Sequence, residues 1–573
     1  MLGDRWRLPI FVGCLVTVLG LLSSACGAGR DEEPQATTSG RIQGGSLTVA
    51  TVEGEGLDPH FSSFFSDISL ERMLWRGAYT LDKDNVPQPA MAAEVPQVSE
   101  DGTTYTIKLE PGLKWSDGDD LKAEDLVMGI LRTCSPDVAG QYQYILSNVV
   151  GCDDYYTAYG FEEEPKQPSP QELEALKDAV GAKVIDETTY QITLANPQPT
   201  FPIILSLWVA FPVPVHLFPD PAGEWPAPAP EAPAKLAYNG PYILTEYSPG
   251  DHATLAPNPN WAGEVKPTLD TLTLRFIGDN AVADNAYRTG EVDFANVDLT
   301  QLSTIKAEFG EDVEYFRALK PSTVGLQMQL KDPPLDNLDV RLALLRAIDY
   351  AKLNDVVYQG GRVPTTSWVP EISGGDSPDA FQELVGFSPE AARQHLAKAG
   401  YPDGQGFPDL TILVVDSPAA RAEAEFLQEG FRRALNVETK VEALDPPSLV
   451  ARLTIGDFQL FPGGWTQDYP DPENWVLGLF ETGGSLNNFN CSLPAIDQRV
   501  EQARFNPSNQ ERLRLYREVN ELIVTNVCGI GVGLHVADHY LIKRHVVGMK
   551  DNIGGQDAAI AGDWAAEYWG RSQ

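Results

Sequence analysis

The pattern of hydrophobic and polar positions predicts a chain in which strands and helices alternate. Residues 46–52 form an apolar, β-branched run, and residues 103–109 and 188–194 alternate with the period of two that is typical of strands. Residues 123–132 carry apolar side chains at helical spacing, which indicates an amphipathic helix. This part of the chain is therefore predicted to mix helix and strand.

The second half of the chain has the same mixture. We predict three helices, at 340–350 with Asp339 as N-cap, at 389–400 with Ser388 as N-cap, and at 508–526, and two strand regions, at 411–415 and 529–542. The sequence has no internal repeat of about 20–50 residues. This order favours an α/β or α+β protein with two or more lobes.

A proline-rich stretch interrupts the pattern, with eleven prolines between Pro197 and Pro233. Proline has no backbone N–H and cannot donate to the ladder of a central sheet. We therefore expect this stretch to be an excursion over the surface.

The chain begins with the features of an export signal. Arg5 and Arg7 precede a 15-residue apolar run at 8–22, and small residues lead into Cys26. This order predicts a secretory signal peptide at 1–25, and the cysteine directly after it resembles the lipobox of bacterial lipoproteins. The alternatives are an ordinary signal peptide or a membrane anchor, although a spanning helix needs about 20 apolar residues.

Cys26 is therefore predicted to carry lipid, and residues 26–43 are predicted to be the lipidated cysteine and a flexible tether. Prolines and His216 break the later apolar run at 201–218, so we expect no membrane contact beyond the lipid. The predicted location is the outer or periplasmic face of the cell membrane.

Charge excludes several kinds of partner. The full chain has a formal net charge of −39, and removal of residues 1–25 leaves 80 acidic against 40 basic side chains. Such an excess of negative charge repels nucleic acids and anionic lipid headgroups. It mildly favours cationic ligands.

The remaining cysteines predict disulfides. Cys14 lies in the predicted signal, which leaves Cys134, Cys152, Cys491 and Cys528 in an oxidising compartment. Three pairings are possible, and proximity along the chain favours Cys134–Cys152 and Cys491–Cys528.

The sequence predicts a protein that is not an enzyme and that has no cofactor or metal. It contains no G-x-S-x-G, P-loop or C-x-x-C motif. His535 and His539 have the spacing of two metal ligands on a helix, but their surroundings predict a strand and lack the HExxH glutamate.

Several segments match the motifs of one protein family in order. They are Gly45-Ser46-Leu47, Leu57-Asp58-Pro59-His60, Trp115-Ser116-Asp117-Gly118, Asn239-Gly240-Pro241-Tyr242, Asn258-Pro259-Asn260-Trp261, Val340-Arg341 with Ala347-Ile348-Asp349, the helix at 391–401, and Trp465-Thr466-Gln467-Asp468-Tyr469-Pro470-Asp471-Pro472. Over about residues 45–550 the chain resembles family 5 of the bacterial extracellular solute-binding proteins, the oligopeptide- and dipeptide-binding group.

The resemblance implies an α/β fold of the periplasmic-binding-protein-like type II (cluster C), with two lobes and an extra inserted domain. Its boundaries imply lobe I at 44–74, 183–276 and 492–573, inserted domain II at 75–182, and lobe II, or domain III, at 277–491. It further implies a monomer that encloses a short peptide between closing lobes and delivers it to the permease of an ABC importer.

The resemblance also implies where the ligand binds. Asp468 is expected to pair with the α-ammonium group of a peptide, because an ammonium in a closed cleft needs a charged partner. Gly464, Trp465 and Thr466 are expected to pair with the peptide backbone, since glycine permits close backbone approach.

Phe61, Phe64 and Phe65 resemble the other strip of the cleft. A purely structural role stays open for each of these residues: Asp468 could stabilise a turn, and the aromatic side chains could be core. Asp471 with Pro472 is instead interpreted as the N-cap and first turn of a helix through residue 479.

Other functions fit the same fold. The ligand could be an oligosaccharide, a metal chelate or another cationic solute, because fold does not determine ligand. The protein could also be a signalling receptor that does not transport. An exported hydrolase is disfavoured by the missing nucleophile and metal motifs.

Overall fold

The computed structural model describes residues 40–160, 167–552 and 560–573. The predicted signal peptide and Cys26, the predicted site of lipidation, lie outside the described residues. No helix in the three described ranges combines the length and the apolar character that crossing a bilayer requires.

Nineteen strands are present in the described ranges. They are β1 Ser46–Thr51, β2 Tyr79–Leu81, β3 Pro87–Pro89, β4 Gln97–Val98, β5 Thr104–Lys108, β6 Ala182–Asp186, β7 Thr189–Thr193, β8 Tyr242–Ser248, β9 His252–Pro257, β10 Thr271–Phe276, β11 Phe294–Asn296, β12 Tyr315–Met328, β13 Val363–Pro364, β14 Leu410–Val415, β15 Thr439–Leu444, β16 Leu460–Thr466, β17 Ile530–Ile542, β18 Val546–Val547 and β19 Gly570–Arg571.

Fifteen α-helices are present in the same ranges, together with short 3₁₀ helices. They are α1 Phe65–Leu74, α2 Ala123–Thr133, α3 Cys152–Tyr156, α4 Pro170–Ala179, α5 Phe201–Ile204, α6 Asn280–Thr289, α7 Leu302–Phe309, α8 Leu338–Arg346, α9 Tyr350–Val357, α10 Gln382–Val385, α11 Pro389–Lys398, α12 Pro418–Leu435, α13 Pro446–Thr454, α14 Pro494–Arg504 and α15 Asn509–Thr525.

Eleven of the strands form one mixed sheet. Its order is β15-β14-β16-β12-β17-β11-β1-β10-β9-β8, and β13 also pairs with β17. A separate antiparallel sheet has the order β4-β5-β7-β6 and uses strands between residues 97 and 193. β12 and β17 have 14 and 13 residues and lie in the middle of the large sheet.

Buried hydrophobic side chains form two large clusters. We call the cluster that contains Trp75, Trp115 and Trp208 the first core, and the cluster that contains Trp368 and Trp475 the second core. β12 and β17 contribute to both. On β12 these residues are Phe316 and Ala318 at the first core and Leu326 and Met328 in the second; on β17 they are Tyr540 and Ile542 in the first and Ile530 and Val532 in the second.

The two connecting strands are irregular between the cores. Leu319 pairs with Ala537, and the next pair is Thr323 with His535, so β12 has two extra residues there. Pro321 lies in this gap and has no N–H to donate to β17. An extra residue in one strand bends it locally, so the connection between the cores bends at this point.

Most predicted elements are present with bounds shifted by one or two residues. The exception is the helix predicted at 340–350, which is wrong: the chain forms α8 and then α9. Asp349 accepts a hydrogen bond from Lys352 N and starts the second helix, which divides the predicted one. The N-cap of α8 is Asn337, two residues before the predicted Asp339.

The proline-rich stretch contains no strand, as predicted, but its placement on the surface is wrong for residues 201–214. Phe201, Ile204, Trp208 and Val213 are buried in the first core. Proline excludes ladder pairing and not burial, because short helical turns satisfy the remaining backbone groups. Residues 215–231 are more exposed.

The four cysteines form the two disulfides Cys134–Cys152 and Cys491–Cys528, the pairs that proximity along the chain favours. The first joins the residue after α2 to the start of α3. The second joins two buried residues of the second core.

Two buried histidines attach β17 to its neighbours. The ring nitrogens of His535 lie 2.9 Å from the hydroxyl oxygens of Thr323 and Thr365. His539 Nδ1 lies 2.7 Å from the Tyr315 hydroxyl. Burial lowers the pKa of both imidazoles to about 4. Both rings are therefore neutral at pH 7 and serve as hydrogen-bonding links within the sheet.

We expect the stability contributed by His539 to fall as the solution becomes acidic. The imidazole has a pKa near 6.5 in the unfolded state and about 4 in the folded state. Between these two pH values the unfolded state binds a proton that the folded state does not bind, which favours unfolding. At pH 5 this linkage removes about 2 kcal/mol. In urea titrations, the difference in free energy of unfolding between wild type and His539→Gln should shrink by about that amount from pH 7.5 to 5.0. A constant difference would contradict the prediction.

Candidate functional site

β16 carries most of the predicted site, and one of its sides is open. It pairs with β12 in antiparallel register from Leu460 to Thr466. On its other side, β14 pairs with it at Leu460 only. Among the residues that the structure describes, positions 461–466 are therefore paired along one side of the strand.

The backbone groups of Gly464 and Thr466 point toward the open side. Gln467 N donates to Pro321 O at 2.9 Å, which makes this cross-strand pair a hydrogen-bonded one. Bonded and non-bonded positions alternate along antiparallel strands, so the backbone N–H and C=O of Trp465 face β12, and those of its two neighbours face away. Of the three residues expected to pair with a ligand backbone, Trp465 is therefore already directed to β12. Two outward residues at this spacing can pair with an extended chain by β-augmentation.

The glycine at 464 is required by the neighbouring strand. A Cβ atom at this position would lie 1.9 Å from Thr323 O of β12. The sequence linked this glycine to close approach of a ligand backbone, whereas the close approach in the structure is between β16 and β12. Thr466 also contacts β12, because its hydroxyl donates to Ser322 Oγ at 2.9 Å.

Asp468 follows β16 and is held by an asparagine. Its backbone N donates to Asn474 Oδ1 at 2.8 Å, and Asn474 Nδ2 donates to its Oδ2 at 2.9 Å. The Trp465 indole N–H donates to the same Asn474 Oδ1 at 3.2 Å. Asn474 is fully buried and Asp468 is 5% exposed. One amide therefore fixes both predicted site residues.

Tyr144 approaches Asp468 from the first core. It lies on the 3₁₀ helix Gln141–Leu146 and packs against that core, and its hydroxyl donates to Asp468 Oδ2 at 3.4 Å. Burial, with a further contribution from the Asp468 charge, raises the pKa of Tyr144 well above its ordinary value. The phenol therefore keeps its proton and stays a donor to the carboxylate.

The predicted aromatic strip of Phe61, Phe64 and Phe65 is connected to Tyr144 through a series of ring contacts. Phe61 and Phe64 are 58% and 43% exposed, which is unusual for phenylalanine in a folded segment. Within this segment, Ser62 O accepts from the Trp208 indole N–H at 3.1 Å. The Tyr142 ring lies 5.1 Å from the Trp208 ring and 5.8 Å from the Tyr144 ring. Rings in contact thus connect residues 61–65 with Asp468.

Phe65 and Lys320 join the strip to the bend in β12. Phe65 begins α1, and Lys320 Nζ lies 5.8 Å from its ring centre. Lys320 Nζ also lies 3.8 Å from Asp538 Oδ2 of β17. A cation–π contact therefore links the residues after β1 to the two connecting strands.

Asp471 is an N-cap, as the sequence predicts, since its carboxylate accepts from Glu473 N at 2.9 Å. The helix that follows is the single 3₁₀ turn Pro472–Trp475, so its predicted extension to residue 479 is wrong. The backbone departs from helical dihedral angles at Val476, with φ −127° and ψ −43°. Trp475 and Val476 are both buried in the second core.

One group of described residues brings three metal-ligating side chains together. The ligand atoms of Asp117, Asp119 and His216 all lie within 4.8 Å of one another, and all three residues are exposed. His216 Nε2 lies 2.8 Å from Asp117 Oδ2, so a hydrogen bond accounts for the contact. His535 and His539 lie on β17, the strand that the sequence predicts for them.

Sequence reasoning missed Asn474 and Tyr144. Asn474 belongs to none of the motifs identified in the sequence, although it lies two residues after the Asp471-Pro472 pair. Tyr144 is 324 residues from Asp468 in the chain. No local pattern could connect these two positions.

Comparison with known proteins identifies the family. The sequence pattern of "Bacterial extracellular solute-binding proteins, family 5 Middle" matches residues 86–487, which is more than half of the chain. The oligopeptide-binding protein OppA of Bacillus subtilis (strain 168) is 22% identical over 532 residues, covering 91% of this chain and 92% of that protein.

Two further similarities differ in their ligands. The probable deoxycholate-binding periplasmic protein YgiS of Escherichia coli (strain K12) is 24% identical over 455 residues, covering 78% of this chain and 80% of that protein. The solved structure of the pheromone receptor PrgZ, whose title reports its mode of peptide binding, has a TM-score of 0.76 and 26% identity, and the match covers 93% of this chain and 100% of that one.

These matches agree with the motifs and with the mixed sheet that joins two cores. The fold is the two-lobed, periplasmic-binding-protein-like α/β fold that the resemblance implied. The chain belongs to family 5 of the bacterial extracellular solute-binding proteins.

Proposed function

We propose that this protein binds short peptides by their amino terminus and extended backbone, and delivers them to the permease of an ABC importer. The observation that carries the proposal is Asp468, a buried carboxylate beside an open strand side. Ligand would bridge the two cores and shift an open–closed equilibrium through its higher affinity for the closed form.

The geometry supports a peptide because it offers two matched features. An α-ammonium would pair with Asp468, and this charge-assisted contact is strong in a buried site. The outward backbone groups of Gly464 and Thr466 would pair with the first residues of the peptide. Backbone pairing does not depend on side-chain identity, which suits a receptor for varied peptides.

The remaining features are proposed with the same function. Cys26 would carry the lipid that holds the receptor at the membrane surface, with no other membrane contact. The first core would belong to lobe I with the inserted domain, and the second core to lobe II. Helices α14 and α15 pack in the second core, so they would belong to lobe II and not, as the boundary 492–573 implied, to lobe I. The inserted domain would extend to Thr193, because β7 belongs to the same sheet as β5 and β6.

Wild-type protein purified without refolding is expected to carry a mixture of peptides. Native mass spectrometry should then give a ladder of bound masses. Calorimetry on protein freed of ligand should give tighter binding of trialanine than of N-acetyl-trialanine, since acetylation removes the ammonium charge. Equal affinity for the two peptides would refute the peptide proposal.

A non-peptide ligand is the second candidate, and the similarity to a probable deoxycholate-binding protein favours it. In that case native mass spectrometry should give one bound mass and not a ladder. The similarity to a pheromone receptor also leaves a signalling role, with the same peptide chemistry at Asp468 and no import. Uptake of labelled trialanine by cells with and without the protein distinguishes import from signalling.

A further inference from the structure

A buried hydrogen bond joins the two cores close to the ligand site. Gln198 Nε2 donates to Glu473 Oε1 at 3.0 Å. Gln198 is 1% exposed and Glu473 is fully buried. Glu473 lies on the 3₁₀ turn that also holds Asn474, and Asn474 fixes Asp468. Glu473 is therefore adjacent in sequence to Asn474, the residue whose amide fixes the carboxylate of Asp468.

Gln198 is held rigidly on the side of the first core. Its Oε1 accepts from Asn148 Nδ2 at 3.1 Å, and its backbone carbonyl accepts from the Tyr105 hydroxyl at 2.9 Å. Tyr105 belongs to the first core, whereas Trp475, two residues after Glu473, belongs to the second. With its amide oxygen occupied, Gln198 presents its N–H to the other core.

The charges around Glu473 are unbalanced. The guanidinium of Arg512 forms a bidentate ion pair with Asp471, in which two of its nitrogens lie 2.7 and 2.5 Å from the two carboxylate oxygens. Glu473 Oε2 lies 3.9 Å from the same Arg512. Arg512 thus pairs with two buried carboxylates, and its contact with Glu473 is the longer of the two.

The other groups facing Glu473 compensate only partly. The hydroxyls of Tyr469 and Tyr516 donate to it at 3.4 and 3.5 Å, which are long contacts. Burial, followed by the charge of Asp471, raises the pKa of Glu473 to about 7, although Arg504, Arg512 and the Gln198 contact act in the opposite direction.

We propose that Gln198 and Glu473 are positioning residues that hold the two cores together around the ligand, and that Glu473 takes up a proton as they close. When the cores separate, water replaces Gln198 at the carboxylate and solvates its charge. Closure removes that water and favours the protonated form. The part of the inference that concerns ligand affinity rests on the proposed peptide function.

The sign of the pH effect follows from linkage. A carboxyl group with a higher pKa in the closed form makes closure more favourable as the pH falls through that value. The pKa is about 7 in the closed form, and in the open form it lies between that value and the ordinary value of about 4.3, because Asp471 stays beside Glu473. Ligand should therefore bind more tightly at pH 6.0 than at pH 7.5, by up to about eightfold, with uptake of up to about one proton at pH 6.0.

The test is calorimetry of trialanine binding at pH 6.0 and 7.5, in buffers of different ionisation enthalpy, which gives affinity and proton uptake together. Glu473→Gln keeps the shape and imitates the protonated acid. It should remove the change in affinity between the two pH values and the proton uptake. The peptide amine titrates in the same way with every variant, so its contribution cancels when the pH dependence of a variant is compared with that of the wild type. Gln198→Leu should weaken binding about tenfold at both pH values, since it leaves a buried carboxyl oxygen without its donor.

Asp284→Asn is the matched control. Asp284 is fully buried on α6, burial raises its pKa to about 6, and its carboxylate accepts from Asp298 N at 3.3 Å. It makes no contact with the 3₁₀ turn of Glu473 among the hydrogen bonds described for it. This variant should keep the wild-type pH dependence and proton uptake of trialanine binding.

Wild-type pH dependence in Glu473→Gln, or wild-type affinity in Gln198→Leu, would overturn the inference. If trialanine does not bind to any variant, the peptide proposal fails and closure is measured without ligand. Small-angle X-ray scattering at pH 7.5 should then give a smaller radius of gyration for Glu473→Gln than for wild type. If the wild type and Glu473→Gln have equal radii of gyration at pH 7.5, the protonation of Glu473 does not favour closure and the inference is overturned.

Discussion

Asp468→Asn is expected to weaken trialanine binding by about 150-fold or more, since removing one member of a buried charge pair costs about 3–5 kcal/mol. The carboxylate is buried and its position is fixed by Asn474, so water cannot replace the lost charge. The substituted amide keeps the shape and can still contact the Tyr144 hydroxyl. N-acetyl-trialanine, which has no ammonium, should lose little affinity. Calorimetry on the two peptides measures the difference.

The control for this prediction is Asp409→Asn. Asp409 is 61% exposed at its side chain and pairs with Lys440, so it carries the same charge at the surface. If the strongly negative field of the whole protein attracted the peptide, both variants would weaken binding equally. Equal loss of both peptides in Asp468→Asn, with a lowered melting temperature, would mean that Asp468 only stabilises the turn.

The candidate site was predictable where its residues are adjacent in sequence. Gly464, Trp465, Thr466 and Asp468 lie within one motif, and the structure brings them together on β16 and the loop after it. Their roles as ligand contacts stay predictions. The role of Asn474 was not predictable, because a buried asparagine has no sequence pattern that marks it. Its two partners, Asp468 and Trp465, are six and nine residues away.

The elements were predictable where one physical rule determines them. Alternating strands such as β5 and β7 have the expected bounds within one residue. The predicted helix at 340–350 failed because Asp349 caps a new helix inside an apolar pattern that continues across it. Periodicity reports which side faces the core and does not report where a helix is interrupted.

Long-range charge pairing was the least predictable feature. Arg512 on α15 reaches Asp471 across 41 residues, and the amphipathic pattern of the helix gives no sign of it. The sequence identified Asp471 as an N-cap, which is confirmed, but an N-cap is usually exposed to solvent. Here its side chain is 7% exposed, so its charge needs a buried partner.

Arg512→Met should therefore lower the free energy of unfolding by about 3–5 kcal/mol. The Arg512 side chain is 4% exposed, and its removal leaves Asp471 and Glu473 buried without their guanidinium. Urea titration at pH 7.5 measures the loss. Arg514→Met is the matched control on the same helix, because Arg514 is 52% exposed and pairs with Glu511 and Glu518 at the surface. Surface pairs contribute little, so this variant should unfold close to wild type.

The cause of the loss can be separated from the loss of packing. If the uncompensated carboxylates are responsible, protons can replace the guanidinium, and Arg512→Met should recover part of its stability relative to wild type at pH 5. The double variant Arg512→Met with Asp471→Asn should recover part of it at pH 7.5, because one buried charge is removed with its partner. Equal destabilisation in Arg512→Met and Arg514→Met would show that the buried pair contributes no more than a surface pair. The contact between the second core and Gln198 would then need another source of rigidity, since Asp471 and Glu473 share the same turn.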